Sequence, residues 1–283
     1  MKPFAARCAA GDRVALALEY DGSAFHGWQS QRQLQLPTIQ ETLENVLSKI
    51  ADTPVTVLCA GRTDAGVHAS HQVVHFDSPV AREERSWVFG ANTHLPRGVS
   101  VKWARPVAGD FHARFSAIAR RYRYVILNRP TRSAHFGHLA THWAPILDAE
   151  LMQSEAQCLL GEHDFSSFRG AGCQSNTPRR NVHFVRVQRF GEWVVVDIQA
   201  NAFLLHMVRN IVGTLIAVGS GKHPAGWTAE VFALKDRRKA AMTAAPNGLY
   251  LVNVDYPARY GLPVDPPGPP FLAAVLADAE PAK

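Results

Sequence analysis

The chain has 283 residues, 47% of them hydrophobic and 19% charged, which supplies one large or two smaller cores and excludes a disordered, collagen-like or coiled-coil chain. Its formal charge is +6, carried by 23 Arg against 7 Lys. Guanidinium groups favour planar, bidentate partners such as phosphate and stack on bases, so a polyanionic partner fits better than an acidic small molecule.

Val14 to Tyr20 reads as a strand ended by the Asp21-Gly22 turn pair. Thr38 and Glu41 have capping-box spacing, and Ile39, Leu43, Val46, Leu47 and Ile50 follow at helical intervals. Short strands are predicted at Val55 to Cys59 and Val73 to Phe76, a helix at Glu83 to Thr93, and a strand at Val99 to Pro106. The order β-α-β-β-α-β then recurs. Arg120 to Leu127 is a strand, Asp148 to Leu160 a helix, and Val182 to Phe190 with Trp193 to Ala200 a hairpin around Gly191-Glu192. Leu204, Val208, Ile211, Val212 and Leu215 mark an amphipathic helix stopped by Gly219 and Gly221, and Leu249 to Val254 is the last strand.

Two successive units of this kind predict an α+β chain of two tandem ferredoxin-like halves. They would form an extended, mostly antiparallel sheet with helices on one face and an RNA-binding cleft, since RNA-recognition modules use the same arrangement. The halves are expected at residues 13–107 and 108–256, with a Pro- and Ala-rich, disordered tail at 257–283.

Four cysteines, Cys8, Cys59, Cys158 and Cys173, include no CxxC pair, so neither a disulfide framework nor a thiolate zinc site is suggested. The longest apolar run, Ala202 to Val218, is shorter than the ~20 residues needed to span a bilayer and is broken by His206, Arg209 and Asn210. Met1 to Asp12 lacks the apolar core of a secretory signal. A cytoplasmic location without membrane contact follows as the expectation.

Between Arg105 and Arg132 there are seven Arg and one acid, Asp110, interleaved with Phe111, Phe115, Tyr122 and Tyr124. That mixture grips phosphates and stacks unpaired bases. Along a strand Arg121 and Arg123 share one face and Arg120, Tyr122 and Tyr124 the other, so the first pair is either an RNA contact or merely solvated. Arg169, Arg179 and Arg180 flank a second polar loop.

The segment Cys59-Ala60-Gly61-Arg62-Thr63-Asp64-Ala65-Gly66-Val67-His68-Ala69 follows a strand and is dense in small residues that permit close approach of a ligand or another backbone. Its carboxylate and guanidinium, two residues apart, suit chemistry and substrate binding; the plainer reading of Asp64 is an Asx-turn. Arg209 lies within an apolar helix and needs an anionic partner, because burying it alone costs several kcal/mol. Asp64 and Asp197 are the two candidates. Gly219 to His223 fails as a P-loop at positions 216 and 223. His68, His71 and His75 invite a metal reading, but 68 and 71 fall on opposite faces of a strand and no carboxylate completes the set.

Several segments together resemble the TruA-type tRNA pseudouridine synthases. They are Tyr20-Asp21-Gly22, Phe25-His26-Gly27-Trp28-Gln29, Gly61-Arg62-Thr63-Asp64-Ala65-Gly66-Val67-His68 and Phe111-His112-Ala113-Arg114-Phe115-Ser116-Ala117. Arg120-Arg121-Tyr122-Arg123-Tyr124, Asp164-Phe165-Ser166-Ser167-Phe168, Phe203 to Asn210 and Gly248-Leu249-Tyr250-Leu251 follow in family order, so the likeness runs from about residue 14 to 256. It implies isomerisation of uridines at positions 38–40 of the tRNA anticodon stem-loop, a homodimer whose two subunits both contact tRNA, and no cofactor or metal. Carried over, Asp64 is the nucleophile, Tyr122 packs on the base and takes part in proton transfer, and Arg209 is the basic partner of the catalytic carboxylate. Leu249 lies beside the base, and Arg62 fills the space left by the flipped nucleotide. Arg82, Arg114, Phe111 and His112 fall among the tRNA-binding positions. The alternatives are a non-catalytic RNA-binding protein on the same sheet, which would not need Asp64 in its loop, and a metal-dependent hydrolase using His68 and His71.

Overall fold

A computed structural model describes residues 6–273 and divides them into two compact units. One holds the residues up to Ile118 together with Leu251–Ala273; the other is Ala119–Tyr250.

In the first unit β1 (Arg7–Cys8) pairs antiparallel with β5 (Arg82–Glu83). The main strands are β2 (Arg13–Tyr20), β3 (Leu58–Cys59), β4 (His68–Asp77) and β6 (Val99–Val107), in the spatial order β6-β2-β4-β3 with every pair antiparallel. By chain position that is 4-1-3-2, the split-βαβ arrangement expected from the sequence. Helix α1 (Ile39–Ala51) begins where Thr38 accepts the Glu41 N–H, and it buries Ile39, Leu43, Val46 and Leu47 along one face. The helix expected over Glu83 to Thr93 contains a π-helical turn at Ser86–Gly90 leading into α2 (Ala91–His94), which buries Trp87 and Val88.

The second unit repeats the plan. Strands β7 (Ala119–Asn128), β10 (Arg179–Phe190) and β11 (Trp193–Ala200) lie in the antiparallel order β7-β11-β10. The sequence pattern does not predict β8 (Thr141–Trp143), which pairs parallel with β7, or β9 (Gly161–Asp164), which edges β10. Helix α3 (Ala149–Ala156) is capped by Asp148 and continues as a 3-10 turn to Leu159. Helix α4 (Met207–Gly219) is almost wholly buried, and α5 (Trp227–Leu234) is a helix beyond those the sequence pattern predicts. The last strand, β12 (Leu249–Asp255), starts in this unit and passes into the first.

Two boundaries differ from expectation. The first unit extends to Ile118 because Phe111 and Ala113 pack on it: Phe111 is fully buried, and Ala113 N–H donates to His75 Nδ1 at 3.1 Å. Residues 257–273, expected to be disordered, also belong to it. Tyr260 and Leu272 are buried, and Asp265 takes Lys102 Nζ at 2.7 Å and lies 3.3 Å from His71 Nδ1. Proline limits a segment to few conformations, so it docks at modest entropic cost. The remainder of the expected tail lies outside the described residues.

Candidate active site

The loop 60–67 joins the antiparallel pair β3–β4, and neighbouring segments brace it along most of its length. Ala60 N–H extends the ladder to Val73 O at 2.8 Å, and Gln72 Nε2 donates to Gly61 O at 2.6 Å. Thr63 points inward: its hydroxyl meets Tyr20 Oη at 2.9 Å and its carbonyl accepts Trp28 N–H at 3.0 Å. Val67 N–H closes a turn onto Asp64 O at 3.1 Å, and Gly66, at φ +75, donates to Phe25 O at 3.3 Å. The result is alternation in a short space: Arg62 exposed, Thr63 buried, Asp64 half-buried.

Two glycines make this bracing possible. A Cβ on Gly22 would lie 2.0 Å from Val67 O, and one on Gly27 would lie 2.8 Å from Thr63 O, with Gly27 itself at φ +89. Gly22 N–H donates to the fully buried His68 Nδ1 at 3.0 Å. Tyr20-Asp21-Gly22 and Phe25 to Trp28 therefore act as the cradle of the Asp64 loop. Their sequence signal was a pair of glycines in aromatic surroundings; what it lacked was the loop they approach.

Among the other expected residues of this unit, Arg62 and Arg114 both act electrostatically on Cys59. Burial pushes the Cys59 thiol up to about 12 despite the lowering pull of Arg62 and, more weakly, of Arg114. Arg114 is exposed, with its guanidinium 5.5 Å over the ring of Phe115, itself 76% exposed. His112 Nδ1 accepts the N–H groups of Arg114 at 3.1 Å and Phe115 at 3.3 Å, so it shapes the turn that presents them. Phe111 does not fit the substrate-binding role expected of it. Its ring is fully buried against His75, Tyr256 and Tyr260, where it anchors the turn instead of facing solvent. Arg82 commits donors to Ala81 O at 3.1 Å and Ile50 O at 3.3 Å, beside the end of α1.

In the second unit Tyr122 lies mid-strand on β7 opposite Ile198, 8% exposed, its ring edge-on to Phe203 at 5.0 Å. Two residues on, Tyr124 donates to Ala245 O at 2.8 Å. Burial pushes its phenol up to about 12, with a smaller lowering pull from Arg209. Arg209 Nε donates to Ala244 O at 2.8 Å, and Leu249 is buried just beyond, after the 3-10 turn Pro246–Gly248. Tyr124, Arg209 and the segment 244–249 are thus brought together, with Tyr122 on the same strand as Tyr124.

Of the two carboxylates weighed for Arg209, Asp197 has other partners. Asp197 Oδ1 takes Arg121 Nε at 2.8 Å, while Oδ2 takes Arg121 Nη2 at 2.6 Å and Arg123 Nε at 2.8 Å. Both oxygens are engaged by the strand that pairs with their own. The same contacts correct the reading of Arg121 and Arg123 as solvated, because Arg123 is 2% exposed. Arg105 pairs with the buried Glu84, and Arg129 with Glu192 at 3.1 Å. Arg169 holds Cys173 O and Ser175 O, and Arg180 holds Thr177 O and Ser175 Oγ. Much of the guanidinium excess thus stabilises the fold.

The histidines weighed as metal ligands have protein partners: His68 with Gly22, His71 with Asp265, His75 with Ala113. Among the described residues no three His, Cys, Asp or Glu side chains are grouped to hold a metal ion, and no helix is long and apolar enough to cross a membrane.

Comparison with known proteins places this arrangement. The sequence profile of the tRNA pseudouridine synthases matches residues 16–116 and 156–257. A tRNA pseudouridine synthase A of Klebsiella pneumoniae (strain 342) is 57% identical over 261 residues, covering 92% of this chain and 96% of that one. That of Escherichia coli O9:H4 (strain HS) is 55% identical over the same coverage of each. The class defined is an isomerase, a pseudouridine synthase. The chain belongs to the tRNA pseudouridine synthase family.

Proposed function

We propose that the chain isomerises uridines at positions 38–40 of the tRNA anticodon stem-loop, with Asp64 as the nucleophile. The observation that carries this reading is a half-buried carboxylate on a loop braced from three sides, two residues after an exposed arginine. A stacked uridine cannot be attacked at its glycosidic carbon, so it must first leave the helix, at a cost of a few kcal/mol. Arg62 offsets that cost by filling the gap, and Tyr122 does so by stacking on the base. The C1′–N1 bond then breaks with Asp64 stabilising or capturing the sugar, the uracil turns, and a C1′–C5 bond forms. The C5 proton is lost and N1 ends protonated. The formula of the nucleoside is unchanged, so the reaction needs neither oxidant nor nucleotide.

Arg209 serves as the basic partner of the catalytic carboxylate. Leu249 supports the base, and Arg82, Arg114 and His112 belong to the tRNA-binding surface. The working species is a cytoplasmic homodimer in which tRNA touches both subunits. Asp64→Asn tests the core of the reading: tritium release from tRNA carrying 5-tritiated uridine is expected to vanish while tRNA affinity stays within severalfold. Loss of binding equal to the loss of turnover would remove Asp64 from the chemistry.

A further inference from the structure

Arg209 is gripped twice by one residue of a distant segment. Its Nε donates to Ala244 O at 2.8 Å, and its own carbonyl accepts Ala244 N–H at 3.1 Å. With Nε tied to a backbone carbonyl, the plane of the guanidinium is set by wherever that carbonyl lies.

The carbonyl is located by a cluster of side chains that the reaction itself does not require. Asn210, fully buried, anchors its amide nitrogen on Phe168 O at 2.8 Å and offers Oδ1 to two donors: Thr243 Oγ1 at 2.7 Å and Arg237 Nη2 at 2.9 Å. Arg237 Nη2 also donates to Thr243 Oγ1 at 2.9 Å, and Nη1 to Ala241 O at 2.9 Å. These acceptors are neutral, so burial lowers the Arg237 pKa. Bonds from a charged donor are stronger than neutral ones, which offsets that desolvation and favours a guanidinium fork over a single ammonium. Gly213, one helical turn beyond Arg209, admits the segment: a Cβ there would lie 2.0 Å from Met242 O. A glycine inside a helix weakens it relative to Ala, and here it permits backbone contact.

We propose that Asn210, Arg237 and Thr243 form a buckle that clamps residues 241–245 along α4 and so aims Arg209; they are positioning residues for pseudouridine formation. This rests on the reading of Arg209 as the partner of the catalytic carboxylate.

The test is Thr243→Val, which keeps shape but removes the hydroxyl shared by Asn210 and Arg237, beside Thr243→Ser, which restores it. Single-turnover rate and tRNA affinity are measured on both. Thr243→Val is expected to slow the chemical step about tenfold with affinity within about twofold, an effect confined to the transition state. Thr243→Ser is expected to return to within about threefold of wild type. In an Arg209→Ala background Thr243→Val should cost nothing further, because coupled residues are non-additive. A normal rate for Thr243→Val, equal losses with Ser and Val, or full additivity with Arg209→Ala overturns the buckle. Near-normal turnover of Arg209→Ala alone instead overturns the role of Arg209, and the buckle's function with it.

Discussion

Gly27→Ala probes the cradle of the Asp64 loop. Gly27 sits at φ +89, and the added methyl would lie 2.8 Å from Thr63 O and 3.1 Å from Ala65 N. The left-handed backbone costs a non-glycine residue about 1–2 kcal/mol. Relieving the collision means displacing the loop by several tenths of an ångström, comparable to overpacking a core at about 1–3 kcal/mol. The sum, about 2–5 kcal/mol, lowers the melting temperature by on the order of 10 °C for a chain of this size. If the loop shifts instead, Asp64 moves with it, and misplacement of a reacting group by ~1 Å costs about a hundredfold in rate. The assay is tritium release under single-turnover conditions at 25 °C, with a thermal melt alongside. Gly11→Ala is the control, since Gly11 also has φ +89 but has nothing within 4 Å of the built Cβ. It should show the backbone cost alone and a normal rate. Gly27→Ala with both melting temperature and rate matching Gly11→Ala would refute the cradle.

Arg62→Ala should cost turnover about a hundredfold while changing tRNA affinity only severalfold, if filling the vacated stack offsets a few kcal/mol of flipping energy; a normal rate would reject that role. Arg123→Met removes a 2%-exposed guanidinium from Asp197. It should destabilise the fold by about 3 kcal/mol, at the low end for breaking a buried pair because Arg121 remains, and leave tRNA affinity within about twofold. Loss of affinity without loss of stability would return Arg123 to the RNA surface. Burial, helped by repulsion from His112, holds His75 down to about 4. Its folded pKa lies below the unfolded value of about 6.5, so the unfolded chain takes the proton first and stability falls as pH drops from about 6.5 towards 4. In His75→Asn, whose amide oxygen can accept the Ala113 N–H, denaturant midpoints across that range should be flatter; an unchanged pH slope would count against the assignment.

What was legible in the sequence follows from the range of each interaction. Strands β2, β7 and β11 and helices α1 and α4 declared themselves because their periodicity is local. The eight residues of α5 did not: Trp227, Val231, Phe232 and Leu234 leave little polar contrast, and the cap is Gly226 in a left-handed conformation. Strand β8 is three residues long and depends on its neighbour. Within the site, Asp64 and Arg62 stood out by composition, whereas Tyr20, Gly22, Gly27 and Gln72 gain their meaning from a loop some 40 residues away in sequence or across a ladder. The arginines misled for the same reason. A run of positive charge looks like a nucleic-acid surface until Asp197, Glu84 and Glu192 arrive from elsewhere in the chain.

The return of residues 251–273 to the first unit has a consequence for biosynthesis. Tyr256 and Tyr260 flank the Phe111 ring, and Asp265 reaches His71 and Lys102. A ribosome that has just released residue 118 from its exit tunnel has therefore delivered an unfinished globule. Its missing pieces appear only after more than a hundred further codons have been read. A stop codon near 250 would therefore deprive the front of the protein of its last segment.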